Sequence, residues 1–291
     1  MEQVKHYNKG CHAKYAVIAL ACLAIPVSVH TQAPVVQPTG ETLTWDEEFT
    51  PHGPQSRPDS ASWTYDTGNG GSGGLQTYCA WAEEKPPCDR SQSNTFVDAD
   101  GYLHIVASQP SPGIYTSARL KTQNLKSFQY GRIEARIKLP SGQGMWPAFW
   151  MLGDNISRVN WPACGEIDIM ENLGREPGMN HFTIHGPGYQ REGLGSTTVL
   201  PGGLRLSDGF HIYGMIWKPG SIAFYFDSPS QVVARYTPAN LPAGATWPFD
   251  GGRFFFVLNV AVGGTWGGNP DHTTHFPQTM LVDYVRVWQH F

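Results

Sequence analysis

Punctuation constrains this chain more than any other feature of its sequence. Apolar and polar residues alternate in short runs, and nearly every run is cut off by glycine or proline. Tyr102–Ala107, Gly131–Leu139, Phe210–Trp217, Ser221–Phe226, Phe254–Val262 and Met280–Trp288 carry the runs, and Pro219-Gly220, Asp250-Gly251-Gly252 and Gly263-Gly264 supply breaks. A period of two puts successive side chains on opposite faces of a strand, and glycine and proline mark the turns between strands. With 33 glycines and 23 prolines in 291 residues, and no amphipathic stretch of helical period, the chain predicts an all-β domain. Short, regularly spaced strands favour one sandwich or barrel over two domains. The last run alternates almost to the end, so the C-terminus is expected to be tied into a sheet. In Gly131–Leu139, Ile133, Ala135, Ile137 and Leu139 share one face, and Arg132, Glu134, Arg136 and Lys138 the other.

Residues 1–33 read as a secretion signal. Lys5, Lys9 and Lys14 are its basic start, Tyr15–Val29 its apolar stretch and Thr31-Gln32-Ala33 its small-residue cleavage site. A membrane anchor is the rival, but the run is short for a ~20-residue span and Pro26 interrupts it. Lipid attachment at Cys22 is a weaker alternative. Residues 34–42 then form a short linker and residues 43–291 the domain. The expected product is secreted, extracellular or periplasmic, free of the membrane and monomeric. The leader holds three lysines and one glutamate, so cleavage takes the net charge from −4 to −6. That balance argues against a nucleic-acid partner, which calls for a basic surface. Export permits disulfides. Cys79 and Cys88 bracket the proline- and charge-rich loop 80–87 and are expected to pair. Cys164 is the odd one, with no cationic neighbour in sequence, and is expected to be a buried packing residue.

The most informative segment is Gly165-Glu166-Ile167-Asp168-Ile169-Met170-Glu171-Asn172. As a strand, it puts Glu166 and Asp168 on one face and Ile167 and Ile169 on the other. Strict continuation would bury Glu171 and expose Met170. One extra residue, a β-bulge, restores Glu171 to the face of the other two acids. The long glutamate arms can then lean together over the shorter aspartate. Retaining glycosidases need two carboxyls ~5–5.5 Å apart, and a third between them helps hold the two pKa values apart. The same pattern also suits a solvated acidic edge or a calcium site.

Upstream, Trp146, Ala148 and Trp150 share a face opposite Pro147, Phe149 and Met151. Two indoles flanking a small residue make a flat apolar wall on which the C–H faces of sugars pack. Filling the core is the plainer role for such rings. Trp161 and Trp266 lie in Pro/Gly-rich loops, where core packing is less expected. Tryptophan walls beside a line of carboxylates favour a neutral polysaccharide.

Together these residues resemble glycoside hydrolase family 16. Glu166-Ile167-Asp168-Ile169-Met170-Glu171 resembles its signature, in the bulged form of the laminarinases. Thr44–Phe49, Tyr115–Leu120, Tyr130–Arg136, Trp146–Met151, Phe210–Tyr213, Phe224–Asp227 and Asp283–Val287 support the likeness in order along the chain. The resemblance implies a β-jelly roll of two curved antiparallel sheets, and endo-hydrolysis of β-1,3-glucan with retention. It implies Glu166 as nucleophile, Glu171 as acid/base and Asp168 as the supporting carboxyl. Trp146, Trp150 and Trp161 would line sugar subsites, with Asn69, Arg119 and His185 as polar contacts and Trp266 closing one end. No cofactor is implied for catalysis. A structural calcium ion is implied at Glu48, the Gly101 carbonyl and Asp283. Mixed-linkage glucan, another β-glycan, transglycosylation or non-catalytic glucan binding are the alternatives on the same scaffold.

One stretch departs from the family. In Thr67–Gln76, Gly70 stands where laminarinases commonly carry tryptophan, and Ser72, Gly73 and Gly74 replace the asparagine and glutamate positions. Elsewhere, His272 and His275 lie near Asp271, but no third ligand makes a zinc site convincing. His211 is expected to be a hydrogen-bonded structural histidine.

Overall fold

Alternation becomes strands very nearly where the sequence places it. The computed structural model describes residues 40–289. The signal at residues 1–33 and linker residues 34–39 lie outside the described residues. Thr42, assigned to the linker, already opens the first strand, Thr42–Glu47. Ser221–Phe226 and Phe254–Val262 keep their expected bounds, and the final strand runs Gln278–Gln289.

The strands form two sheets. The first has seven, in spatial order Thr64–Asp66, Arg119–Lys121, Phe254–Val262, Met145–Gly153, Glu166–Glu171, Met179–His185 and Leu194–Val199, every neighbour antiparallel. The second is centred on Gly131–Lys138 and Gln278–Gln289 and extends outward through His211–Lys218, Ser221–Phe226 and Val232–Tyr236. Its pairings are antiparallel except Gln76–Tyr78 against Ile114–Ser117. Ile133, Ala135 and Ile137 of the second sheet share one buried cluster with Phe149, Met151, Ile167, Ile169, Phe256, Leu258 and Val260 of the first. Alternation thus gives the seven-stranded sheet one face for the core and leaves the other for a groove. Cys79 and Cys88 are disulfide-bonded, and Cys164 is free and buried, as expected.

The polar face of Gly131–Lys138 is not a solvated one. Arg132 and Glu134 are buried. Glu134 accepts hydrogen bonds from Arg132 Nη1 (2.6 Å), Tyr225 OH (2.5 Å) and Tyr284 OH (3.1 Å). The Arg132 guanidinium lies 3.6 Å from the Trp288 ring centroid. Gly214, opposite Glu134 in the register, makes room: a Cβ there would stand 2.1 Å from the Tyr225 ring.

Candidate active site

The acidic strand is built as its sequence demands. On one side Phe149 pairs with Met170 and Trp150 with Asp168, leaving Ile169 as the extra residue. On the other, Asp168 pairs with Thr183 and Glu171 with His181. This is the expected bulge. Ile167, Ile169 and Met170 are fully buried, while Glu166, Asp168 and Glu171 line one groove.

Each acid has its own surroundings. Glu171 Oε1 accepts from Trp146 Nε1 at 2.9 Å. Asp168 is buried, and its Oδ2 lies 3.2 Å from His185 Nε2. His185 Nδ1 is 3.2 Å from the Gln190 carbonyl oxygen. A carbonyl can only accept, so Nδ1 carries the proton and a neutral His185 turns a bare nitrogen toward Asp168. A proton on either partner makes that approach favourable. Burial raises the pKa of all three acids. Glu166 is pushed up to about 8, by burial first and then the charge of Asp168, against the opposing pull of His185 and Trp161. Glu171 is raised to about 7 by burial and the charge of Glu166, with the Trp146 hydrogen bond opposing. Asp168 lies well above the usual carboxylate range, through burial and then Glu171. The cleft therefore holds protons near neutrality, as acid catalysis there requires.

The groove holds a cavity of about 100 Å³ and continues over Ala148, Trp150, Asn259 and Ala261 to Arg119, Gln76 and Tyr78. Trp146 and Trp150 are half-buried, so they form a wall rather than fill the core. Trp150 Nε1 donates to Asn259 Oδ1 (2.8 Å). Arg119 lies 4.6 Å from the Tyr78 ring centroid and 5.6 Å from that of Trp150. Trp161 is 45% exposed, its ring 6.4 Å from that of His185. Trp266 is 37% exposed and meets Trp146 edge to face at 5.3 Å.

Asn69 is exposed, and its Oδ1 accepts from Gly71 N at 3.0 Å, closing its own turn. Its neighbours Gly70, Gly71, Ser72 and Gly74 line the groove. A Cβ on Gly70 would lie 2.3 Å from the Tyr78 ring. Tyr78 thus fills the space where a side chain at position 70 would begin. Asn259, Gln76 and Tyr78 were missed from sequence. Asn259 had a signal, as the one polar residue in Phe254–Val262.

Among the described residues, the one group of acids and histidines close enough to hold a metal ion is Glu166, Asp168 and His185, each with an atom within 4.8 Å of the others. The register does bring Glu48, Gly101 and Asp283 together, since Glu47 pairs with Val285 and Leu103 with Val282. Yet Arg286 grips Glu48 at 2.6 and 2.8 Å, and Arg136 Nη1 lies 2.5 Å from Asp283 Oδ2. These carboxylates do not fit a calcium ion as they stand, because one would have to displace both arginines. His272 and His275 are exposed and belong to no such group. His211 pairs with Asp227 at 3.0 Å, in keeping with a structural role.

One carboxyl able to give a proton, a second able to attack or steady a cationic carbon, and indoles on which sugar rings can stack define a glycoside hydrolase on a jelly roll. The chain belongs to the glycosyl hydrolases family 16, whose model matches residues 82–286. A β-glucanase of Rhodothermus marinus is 38% identical over 261 residues, covering 85% of each chain. The glucan endo-1,3-beta-glucosidase A1 of Niallia circulans is 32% identical over 265 residues, 86% of this chain and 38% of that protein. The solved endo-β-1,3-glucanase of Pyrococcus furiosus superposes with a TM-score of 0.75 at 42% identity, covering 86% of this chain and 95% of that one.

Proposed function

We propose that this chain is a secreted, monomeric endo-β-1,3-glucanase that cleaves internal bonds of laminarin-like glucans with retention and without a cofactor. The observation that carries the reading is the bulge, which puts Glu171 on the groove face with Glu166 and Asp168. In the first step Glu171 protonates the glycosidic oxygen while Glu166 attacks the anomeric carbon, giving a glycosyl-enzyme ester and releasing the aglycone. Glu171, now ionised, removes a proton from the incoming water, which cleaves the ester and restores both acids. Glu166 must be charged for its attack, against its raised pKa. His185 and Trp161 favour that ionised form, opposing the burial of Glu166.

The substrate assignment draws on the relatives, whose names specify β-1,3-glucan hydrolysis. Mixed-linkage glucan is the second reading, favoured by the glycine-rich wall at residues 70–74, where Ser72 is the one side chain beyond hydrogen to line the groove. The test is product analysis on laminarin, barley glucan, carboxymethyl cellulose, agarose and xyloglucan. A ladder of oligosaccharides from laminarin, with β-anomers appearing first by proton NMR, is expected. First-formed α-anomers would overturn retention. Activity confined to another polymer would overturn the substrate. Binding without turnover would overturn hydrolysis.

A further inference from the structure

Glu171 has a neighbour that the two-step reaction does not use. His181 pairs with it across the strands, so their side chains share a face. His181 Nε2 lies 3.0 Å from Glu176 Oε2. The His181 ring meets Trp266 edge to face at 5.0 Å, Trp266 meets Trp146 in the same manner at 5.3 Å, and the Trp146 N–H reaches Glu171. Arg175 closes the arrangement, donating from Nη1 to the Trp266 carbonyl and lying 3.2 Å from Glu176 Oε1 through Nε. The turn carrying Arg175 and Glu176 is itself pinned. Asn172 Nδ2 donates to the carbonyls of Glu176 (3.0 Å) and Met179 (2.7 Å). Gly174 packs so closely that a Cβ would lie 1.6 Å from the Gly142 carbonyl oxygen.

We propose that His181 and Glu176, with Arg175, are positioning residues for the acid/base: they clamp Trp266 edge-on against Trp146, so that the Trp146 indole N–H stays aimed at Glu171. The proposal rests on the reading of Glu171 as acid/base. Nothing in the clamp touches the reacting atoms. It works because an exposed tryptophan on a glycine-flanked loop, Gly263 to Gly268, would otherwise be free to swing. Gln143 Nε2 adds a second tether to that loop, donating to the carbonyls of Gly267 (3.3 Å) and Asn269 (3.1 Å).

Leaving-group chemistry separates this from a general loss of structure. A natural glucan leaves as an alkoxide and needs the proton from Glu171, whereas a dinitrophenyl oligoglucoside leaves without one. Misplacing a catalytic group by about 1 Å costs on the order of 100-fold. His181→Ala and Glu176→Ala should therefore lower glycosylation of laminarin by about 10- to 100-fold. Cleavage of the dinitrophenyl substrate should change by less than about 3-fold, since the acid is idle in that step. Glu176→Gln keeps an acceptor for the histidine N–H and should recover most of the loss. Glu176 sits in a partly exposed turn, so its variants remain informative if His181→Ala misfolds. Equal losses on both substrates, or none on laminarin, would overturn the clamp while leaving Glu171 in place. The control is Glu171→Gln: if it too lacks leaving-group dependence, the acid/base reading falls, and the clamp with it.

Discussion

Replacing Trp146 by phenylalanine removes one hydrogen bond and little of the apolar wall. That bond, 2.9 Å from indole Nε1 to Glu171 Oε1, favours the ionised carboxylate and opposes the burial that raises Glu171 to about 7. A hydrogen bond to a charged group contributes about 1.5–3 kcal/mol. Glu171 is only half-buried, so water replaces part of it, leaving about 1.4 kcal/mol, or roughly one pKa unit. With the donor gone, the charged form is less favourable and the pKa rises. The limb of kcat/KM that falls when the acid loses its proton reports the free enzyme. In Trp146→Phe that limb should move about one unit toward alkaline pH, whatever KM does through the altered wall. The assay is kcat/KM on laminarin from pH 5 to 10, fitted with two apparent values that belong to the coupled carboxyls rather than to one of them. A limb that stays put, or moves toward acid pH, would refute the argument.

Other consequences can be measured on the folded protein. The folded pKa of Glu166, about 8, lies above its ordinary 4.5, so between those values the folded chain holds a proton the unfolded chain lacks, and stability falls as pH rises through the window. Glu166→Gln should accordingly raise Tm by a few degrees at pH 8.5 and leave it unchanged at pH 4; a uniform shift would contradict the linkage. Glu134→Ala takes one of two carboxylates from Arg132, whose Nε still donates to Glu41 at 2.9 Å, and removes the acceptor of two buried tyrosine hydroxyls; urea denaturation should show a loss of about 1–3 kcal/mol, and no measurable loss would mean water reaches the network. Replacing Cys79 and Cys88 by serine opens a loop of sequence separation 9 and should cost about 2–3 kcal/mol in the same assay. Because arginines already hold Glu48 and Asp283, EDTA should leave Tm unmoved, and a marked fall would restore a calcium ion to that site.

The bulge was legible because two physical demands met in six residues. A strict strand from Glu166 would have buried an acid and exposed a methionine, and one extra residue removed both faults. The alternation of Phe254–Val262 and Gly131–Lys138 was legible for the same local reason. What escaped the sequence depends on partners far along the chain. Nothing in Thr67–Gln76 shows that Tyr78, outside that stretch, fills the space where a side chain in place of Gly70 would begin. Arg175, Glu176 and His181 carry no motif, and their relation to Trp266 exists only once two loops some ninety residues apart are folded together.

Glu134 shows why pattern alone could not separate a reactive acid from a structural one. Like Glu166 and Asp168, it stands on the polar face of an alternating strand between apolar neighbours. In the fold it meets the Arg132 guanidinium at 2.6 Å and two tyrosine hydroxyls, which fix its oxygens. No arginine or lysine is among the groups acting on Glu171, which has one indole N–H, a neighbouring carboxylate and a histidine. A buried carboxyl with an arginine in contact serves as a joint, because removing either partner is costly. A buried carboxyl whose neighbours are other carboxyls is driven to hold a proton that it can later give away. Which of these an acid becomes is decided by what the opposite strand and the covering loops bring to it. Three acids on one strand face therefore announce chemistry only when the fold keeps arginine and lysine out of ion-pair contact with them, as it does for Glu166, Asp168 and Glu171 among the described residues.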